Sequence, residues 1–215
     1  EALIEWLNQY MSHMSNIIQG NQGNIDKFIG DAIMAFWNAP RSVAGHPSFA
    51  AKAALEQQRW LHGKDLPWGE EIGQVGCRIG LHFGEAIVGN MGSEDSQNYT
   101  AIGDAVNLAS RLEGANRQYG TRILISEDFK NQLDDQFLCR PLDRIVVKGK
   151  TKPVTIFELM EEKPFITEDM EKSCETWSTL IDLYQDRQFK KVISTLETMG
   201  PFDPLMKIYF QRCRN

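Results

Sequence analysis

The sequence predicts a mixed α/β fold of the α+β kind, followed by a helical C-terminal extension. Three observations predict it. Over residues 1–162, stretches with helical apolar spacing alternate with short β-prone runs. Two of those runs flank a Gly-Asp pair in Ile25–Trp37, a strong short-range hairpin signal. From Glu168 onward every apolar pattern has a helical period. The chain of 215 residues is long enough for a sizeable core. Its expected division is a first domain over 1–162 and a helical extension over 163–215.

Taken in order, residues 2–19 place Leu3, Leu7, Tyr10, Met11, Met14, Ile17 and Ile18 at helical spacing, and Gly20 ends the run. In the hairpin, strict alternation puts Ile25, Lys27 and Ile29 on one face and Ile33, Ala35 and Trp37 on one face of the second strand. Asn38-Ala39-Pro40 stops that strand, because proline cannot donate to a ladder. A helix is expected over Ser48–His62, then a strand over Val75–Phe83 that turns at Gly84 and pairs with Glu85–Asn90. Gly89-Asn90-Met91-Gly92-Ser93 lacks the G-x-x-x-x-G-K-[ST] pattern and reads as a plain turn. A short strand, Tyr99–Ile102, leads through Gly103-Asp104 into a helix over Ala105–Gln118, with Ala105, Leu108, Ala109 and Leu112 as its buried stripe. Strands at Arg122–Ile125, Arg140–Val147 and Val154–Leu159 and a short helix at Glu127–Leu133 complete the first domain. Helices are expected at 168–186, 188–199 and 204–213. Trp177, Leu180, Tyr184, Phe189, Val192, Ile193 and Leu196 form a helical-hairpin pattern like one tetratricopeptide-type repeat. A single repeat cannot bury its own face, so this one should pack on the first domain or on a protein partner.

Composition excludes several classes. A net charge of −6 argues against a broad electrostatic grip on nucleic acid. Cys77, Cys139, Cys174 and Cys213 are scattered without a C-x-x-C pair, which predicts reduced thiols and a cytoplasmic domain. The four histidines show no zinc-ligand spacing. No apolar run approaches the ~18 residues of a membrane span. Glu1 is not a start methionine, so a longer parent is expected, one that an upstream segment could anchor to a membrane.

Three features carry candidate chemistry, each with a plainer alternative. Asp31, at the hairpin tip, is either a good turn residue or an oxygen ligand for Mg²⁺. Asn107 and Arg111 lie four apart on one helix face, which is either solvated or aimed at a shared ligand. Lys148, Lys150 and Lys152 surround Gly149 in an otherwise acidic chain, either protecting an exposed turn or contacting phosphate.

Lys27–Asp31, Gly89–Ser93, Tyr99–Glu113 and Val147–Lys150, in that order and spacing, resemble the catalytic domain of class III adenylate cyclases over about residues 1–160. The resemblance implies a ferredoxin-like nucleotidyl cyclase core working as a head-to-tail homodimer with two active sites at the interface. It implies ATP as substrate and two Mg²⁺ (or Mn²⁺) ions per site. Asp31 matches a metal-binding aspartate, Lys27 and Thr100 the pair that reads adenine, and Lys148 a lysine near the terminal phosphates. Asn107 matches the residue that orients the ribose, and Arg111 the one that stabilises the transition state. Guanylate cyclases of the family typically carry Glu and Cys in place of Lys27 and Thr100, so this pair favours ATP. The family's other metal aspartate belongs to a Phe-x-Asp-Ile strand upstream of the hairpin, and no such motif occurs between Glu1 and Gly23. The alternative reading is a degenerate cyclase-like module that senses nucleotide and dimerises. A diguanylate cyclase is disfavoured, since no Gly-Gly-Asp/Glu-Glu-Phe stretch occurs.

Overall fold

The structure, a computed structural model, describes residues 2–63, 76–93, 95–146, 153–200 and 203–214. Its elements run α1 (Ala2–Gly20), β1 (Asn24–Ile29), β2 (Ala32–Phe36), α2 (His46–Leu61), β3 (Ile79–Leu81), β4 (Ile87–Gly92) and β5 (Gln97–Ile102). They continue as α3 (Asp104–Tyr119), β6 (Ile123–Ser126), α4 (Glu127–Lys130), β7 (Phe137–Ile145), β8 (Val154–Glu162), α5 (Glu168–Gln185), α6 (Phe189–Thr198) and α7 (Pro204–Arg214).

A four-stranded sheet in the order β3-β6-β8-β7 forms the centre. β3 and β6 are parallel, with Ile79 opposite Ile123, while β8 runs antiparallel to both β6 and β7. All four residues of β6 are buried, as expected for a strand covered on both faces. Alternation sorts them: Ile123 and Ile125 face a cluster with Ala50, Ala51, Ala54 and Leu55 of α2. Leu124 faces a second cluster with Leu108 and Leu112 of α3. Small side chains on α2 let it lie close to the sheet, and Arg59 ties it to β8 through Glu161 at 2.6 Å and Glu162 at 2.8 Å.

The cluster under α3 extends into the helical extension, taking in Trp177, Leu180, Ile181, Val192, Leu196, Leu205, Met206 and Tyr209. Polar contacts secure the seam. The Trp177 indole N–H donates to the Pro141 carbonyl at 2.8 Å, and the Tyr209 hydroxyl donates to the Leu142 carbonyl. Asp143 accepts from Tyr119 of α3 and from Arg212 of α7, each at 2.7 Å. Local signals start these helices: the Thr167 hydroxyl caps α5 and the Asp203 carboxylate caps α7.

One expected pairing and one expected turn differ. β3 does not turn at Gly84 to meet its successor; it pairs with β6, while β4 pairs with β5 from Ile87–Ile102 to Gly92–Gln97. The reason is burial: Ile79, Leu81 and Phe83 pack against the α2 cluster, which holds β3 in the central sheet. Gly89–Gly92 is accordingly strand rather than turn. Gly92 ends it where a Cβ would stand 2.0 Å from the Ser96 carbonyl oxygen, so a side chain there would obstruct the β4–β5 connection.

Trp177 is fully buried at the seam. Trp177→Ala is expected to cost about 3–5 kcal/mol. Equilibrium urea unfolding would show it as a lowered midpoint, whereas an unchanged midpoint would mean that the seam contributes little.

Candidate active site

The β1–β2 hairpin pairs in register from Ile29–Ala32 back to Lys27–Met34, and then slips. Asp26 is the extra residue, a β-bulge between the pairs Ile25–Ala35 and Lys27–Met34. The alternation expected from sequence, with Ile25 and Lys27 sharing a face, is therefore interrupted at Asp26. A bulge re-aims side chains, and here both Asp26 and Lys27 reach Thr100 of β5.

The cluster is compact. The Lys27 ammonium donates to Thr100 Oγ1 at 2.9 Å and stands 3.1 Å from Asp26 Oδ1. The Thr100 hydroxyl donates to Asp26 Oδ2 at 2.6 Å, and the Ala101 N–H donates to the same oxygen at 2.9 Å. The Asp26 side chain is wholly buried, whereas 45% of the Lys27 side chain is exposed, so the cluster presents one cation to solvent above a buried anion. Burial by itself would raise the Asp26 pKa. The hydrogen bonds from Thr100 and Ala101, together with the Lys27 ammonium, outweigh it and hold the carboxyl below its usual range.

Asp31 lies at the hairpin tip and is exposed. Its charge reaches Tyr10 of α1 and Cys77 ahead of β3, whose hydroxyl and thiol are pushed up chiefly by burial. Among the described residues no group of three His, Cys, Asp or Glu side chains is placed to hold a metal. One exposed carboxylate does not make a two-ion site, so these residues do not by themselves fit the pair of Mg²⁺ ions that the resemblance implies.

Asn107 and Arg111 are exposed on α3, one turn apart, at the edge of the buried stripe that holds Leu108 and Leu112. Among the described residues Arg111 forms no ion pair, which leaves its guanidinium available. The structure thus brings Lys27 and Thr100 into contact and sets Asn107 beside Arg111, but no hydrogen bond joins the two pairs among the described residues. Lys148, with the rest of the basic turn, lies outside the described residues. Sequence reasoning overlooked Asp26. The available signal was an acidic residue inside an apolar strand run, a position where Asp is depleted.

The domain thus combines a mixed central sheet covered by helices on both faces with two separate hairpins that carry the Lys27–Thr100 pair. Residues 1–161 match the family described as Adenylate and Guanylate cyclase catalytic domain, and the chain belongs to that family. It is 34% identical over 161 residues to Adenylate cyclase 1 of Rhizobium meliloti (strain 1021), covering 74% of this chain and 24% of that protein. It is 33% identical over 221 residues to the terminal-differentiation specific adenylate cyclase of Dictyostelium discoideum, covering 99% of this chain and 10% of that protein. The crystal structure of the adenylyl cyclase CyaB from P. aeruginosa superimposes with a TM-score of 0.69 at 32% identity, covering 78% of this chain and 86% of that one. The chain therefore spans a quarter or less of the length of these two curated relatives. Among the described residues no helix is long and apolar enough to cross a membrane.

The lowered Asp26 pKa sets a direction for acid sensitivity. Because the folded value lies below the unfolded value of ~3.9, the stabilisation is present above that pH and is lost as pH falls through the folded value. Urea unfolding on either side of that window should show a steeper acid loss in the native protein than in Asp26→Asn. Parallel losses would mean that the carboxylate is not held in its charged form.

Proposed function

We propose that this chain is the catalytic part of an adenylate cyclase that converts ATP into 3′,5′-cyclic AMP and pyrophosphate in a head-to-tail homodimer. The observation that carries the reading is the 2.9 Å contact between Lys27 and Thr100, residues 73 apart in sequence. An exposed ammonium donor and a hydroxyl oxygen side by side suit the edge of adenine, which presents one acceptor and one donor there. The two active sites would lie between protomers, each taking Lys27, Thr100, Asn107, Arg111 and Lys148 from one chain and Asp31 from the other.

In this reaction the ribose 3′-oxygen attacks the α-phosphorus and the bond to pyrophosphate breaks. Little covalent chemistry falls to the protein, so rate comes from alignment and from neutralising charge on the phosphate oxygens. Lys27 and Thr100 hold the base, which fixes the nucleoside. The Asn107 amide orients the ribose, bringing the 3′-oxygen in line with phosphorus. Arg111, one turn further along α3, meets the phosphate oxygens as their charge builds. Lys148 is assigned to the terminal phosphates on the resemblance alone. Among the described residues Asp31 is the carboxylate assigned to Mg²⁺, and the remaining ligands would come from outside them.

The exposed, solitary position of Asp31 favours one second reading, a nucleotide-binding module without turnover. Cyclic AMP formation by the purified full-length protein, supplied with ATP and Mn²⁺, distinguishes the two: binding without product would select the second.

Arg111→Ala should lower kcat on the order of 10²-fold, because its contact strengthens only in the transition state. A change confined to KM would move Arg111 to a ground-state binding role. The double change Lys27→Glu with Thr100→Cys should shift turnover from ATP toward GTP, and an unchanged ATP preference in steady-state assays would remove the pair from base recognition.

A further inference from the structure

The Asp26–Thr100–Lys27 cluster holds more information than contact alone, because its donors and acceptors can be counted. An ionised carboxylate only accepts hydrogen bonds, and Asp26 Oδ2 takes the Thr100 hydroxyl proton at 2.6 Å. The Ala101 N–H, at 2.9 Å on the same oxygen, fixes that carboxylate against the β5 backbone. Thr100 Oγ1 then has two lone pairs, of which the Lys27 ammonium uses one at 2.9 Å. The ammonium has three protons: one goes to Thr100, while Asp26 Oδ1 lies 3.1 Å away in an ion pair but accepts no hydrogen bond among the described residues, so donor capacity remains for a ligand. What the cluster can offer a ligand is therefore one donor, from Lys27, and one acceptor, from Thr100.

A free hydroxyl has no such polarity. It can rotate to donate or to accept, and it suits either purine. Adenine presents an amino donor and a ring acceptor at adjacent positions, whereas guanine presents a carbonyl acceptor and a ring N–H donor at the same two positions. We infer that Asp26 is a specificity-determining positioning residue, which commits the Thr100 hydroxyl proton to its own carboxylate so that Thr100 can only accept. With Lys27 donating to the adenine ring nitrogen and Thr100 accepting from the amino group, adenine is matched at both positions. Guanine in the same pose sets its carbonyl against a lone pair and its ring N–H against an ammonium. Mismatched polar groups in a site built around hydrogen bonds discriminate far more strongly than a difference in size. This inference rests on the adenylate cyclase reading above and deepens it, since it assigns part of the base choice to a buried residue that touches no substrate.

The competing account is a structural staple, in which Asp26 merely ties β1 to β5. The two accounts separate in the full-length protein supplied with Mg²⁺. Steady-state kcat/KM is measured for ATP and for GTP in the native protein, Asp26→Asn and Thr100→Ser. In parallel, ATP and GTP each displace a fluorescent ATP analogue. The side-chain amide of Asp26→Asn can donate as well as accept, which frees the hydroxyl to turn. The ATP-over-GTP ratio should then fall about tenfold, the scale of one hydrogen bond, in both turnover and displacement. Thr100→Ser keeps the hydroxyl and should keep the native ratio. A lowered melting temperature with turnover of both nucleotides reduced equally would overturn the inference in favour of the staple. Should Asp26→Asn not fold, proton NMR of the native protein still decides the matter. A slowly exchanging Thr100 hydroxyl proton that persists when ATP is bound supports the fixed polarity, and a freely exchanging one overturns it. A native protein that does not prefer ATP would refute the adenine reading itself, whereas a native preference retained by Asp26→Asn would refute only the role of Asp26.

Discussion

The close approach of α3 to β3 is the contact on which the rest of the arrangement depends. At Gly80 a Cβ would lie 2.2 Å from the Ala109 carbonyl oxygen and 2.3 Å from the Glu113 nitrogen, so helix and strand backbones meet with no side chain between them. Any other residue at that position would lift the helix off the sheet. Asn116 fastens the same contact further along. It is fully buried, its amide donates to the Ile79 carbonyl at 2.9 Å, and its carbonyl oxygen accepts from Thr121 at 2.9 Å. Its hydrogen-bonding capacity is used within the fold, so its burial adds specificity rather than a penalty. With α3 held this closely, the edge of its buried stripe has a fixed outlook. Asn107 and Arg111 stand at that edge.

The second constraint acts on the hairpins. β1–β2 and β4–β5 are separate two-stranded sheets, and among the described residues neither joins the central ladder through its main chain. Isolated hairpins are marginal in water, so side chains must hold them in place. The bulge at Asp26 provides one such tie by turning a buried carboxylate toward the Ala101 N–H and the Thr100 hydroxyl. A buried carboxylate without partners would be costly, and two hydrogen bonds on Oδ2 with the Lys27 ammonium beside Oδ1 change the balance. The hydrogen bonds that join the hairpins are thus the same ones that arrange Lys27 and Thr100 for a ligand, so structure and recognition share atoms here.

Some of this was legible in the sequence. The hairpin, the long helices and the change of character after residue 162 follow from local periodicity, and the helices lie within a few residues of their expected ends. What failed was pairing: β3 to β6 is a contact between distant segments, and Gly84 looked like a turn because nothing local says otherwise. Asp26 was missed for a related reason, since strict alternation assumes an unbroken ladder and a bulge leaves no clear mark in five or six residues. Lys27 and Thr100 share no local pattern either. They came into view through family resemblance, and their contact at 2.9 Å is geometry that only the folded chain provides.

The helical extension bears on the site from behind. Leu108 and Leu112 of α3 share one cluster with Trp177, Leu180, Val192, Leu196 and Tyr209, so the inner face of the helix is sealed partly by residues beyond 162. Asp143 accepts from Tyr119 near the end of α3 and from Arg212 of α7, linking helix, strand and extension through one carboxylate. Without α5–α7 that cluster would keep its sheet residues but lose the part contributed beyond 162, and exposed apolar area weakens a fold in proportion to its extent. α3 would then keep its contact with Gly80 but lose the packing behind Leu108 and Leu112. The similarity to the Dictyostelium discoideum protein covers 99% of this chain and so extends over the residues of α5–α7. The change in sequence character at residue 162 is therefore no break in the core: the segment after it supports the helix that carries Asn107 and Arg111.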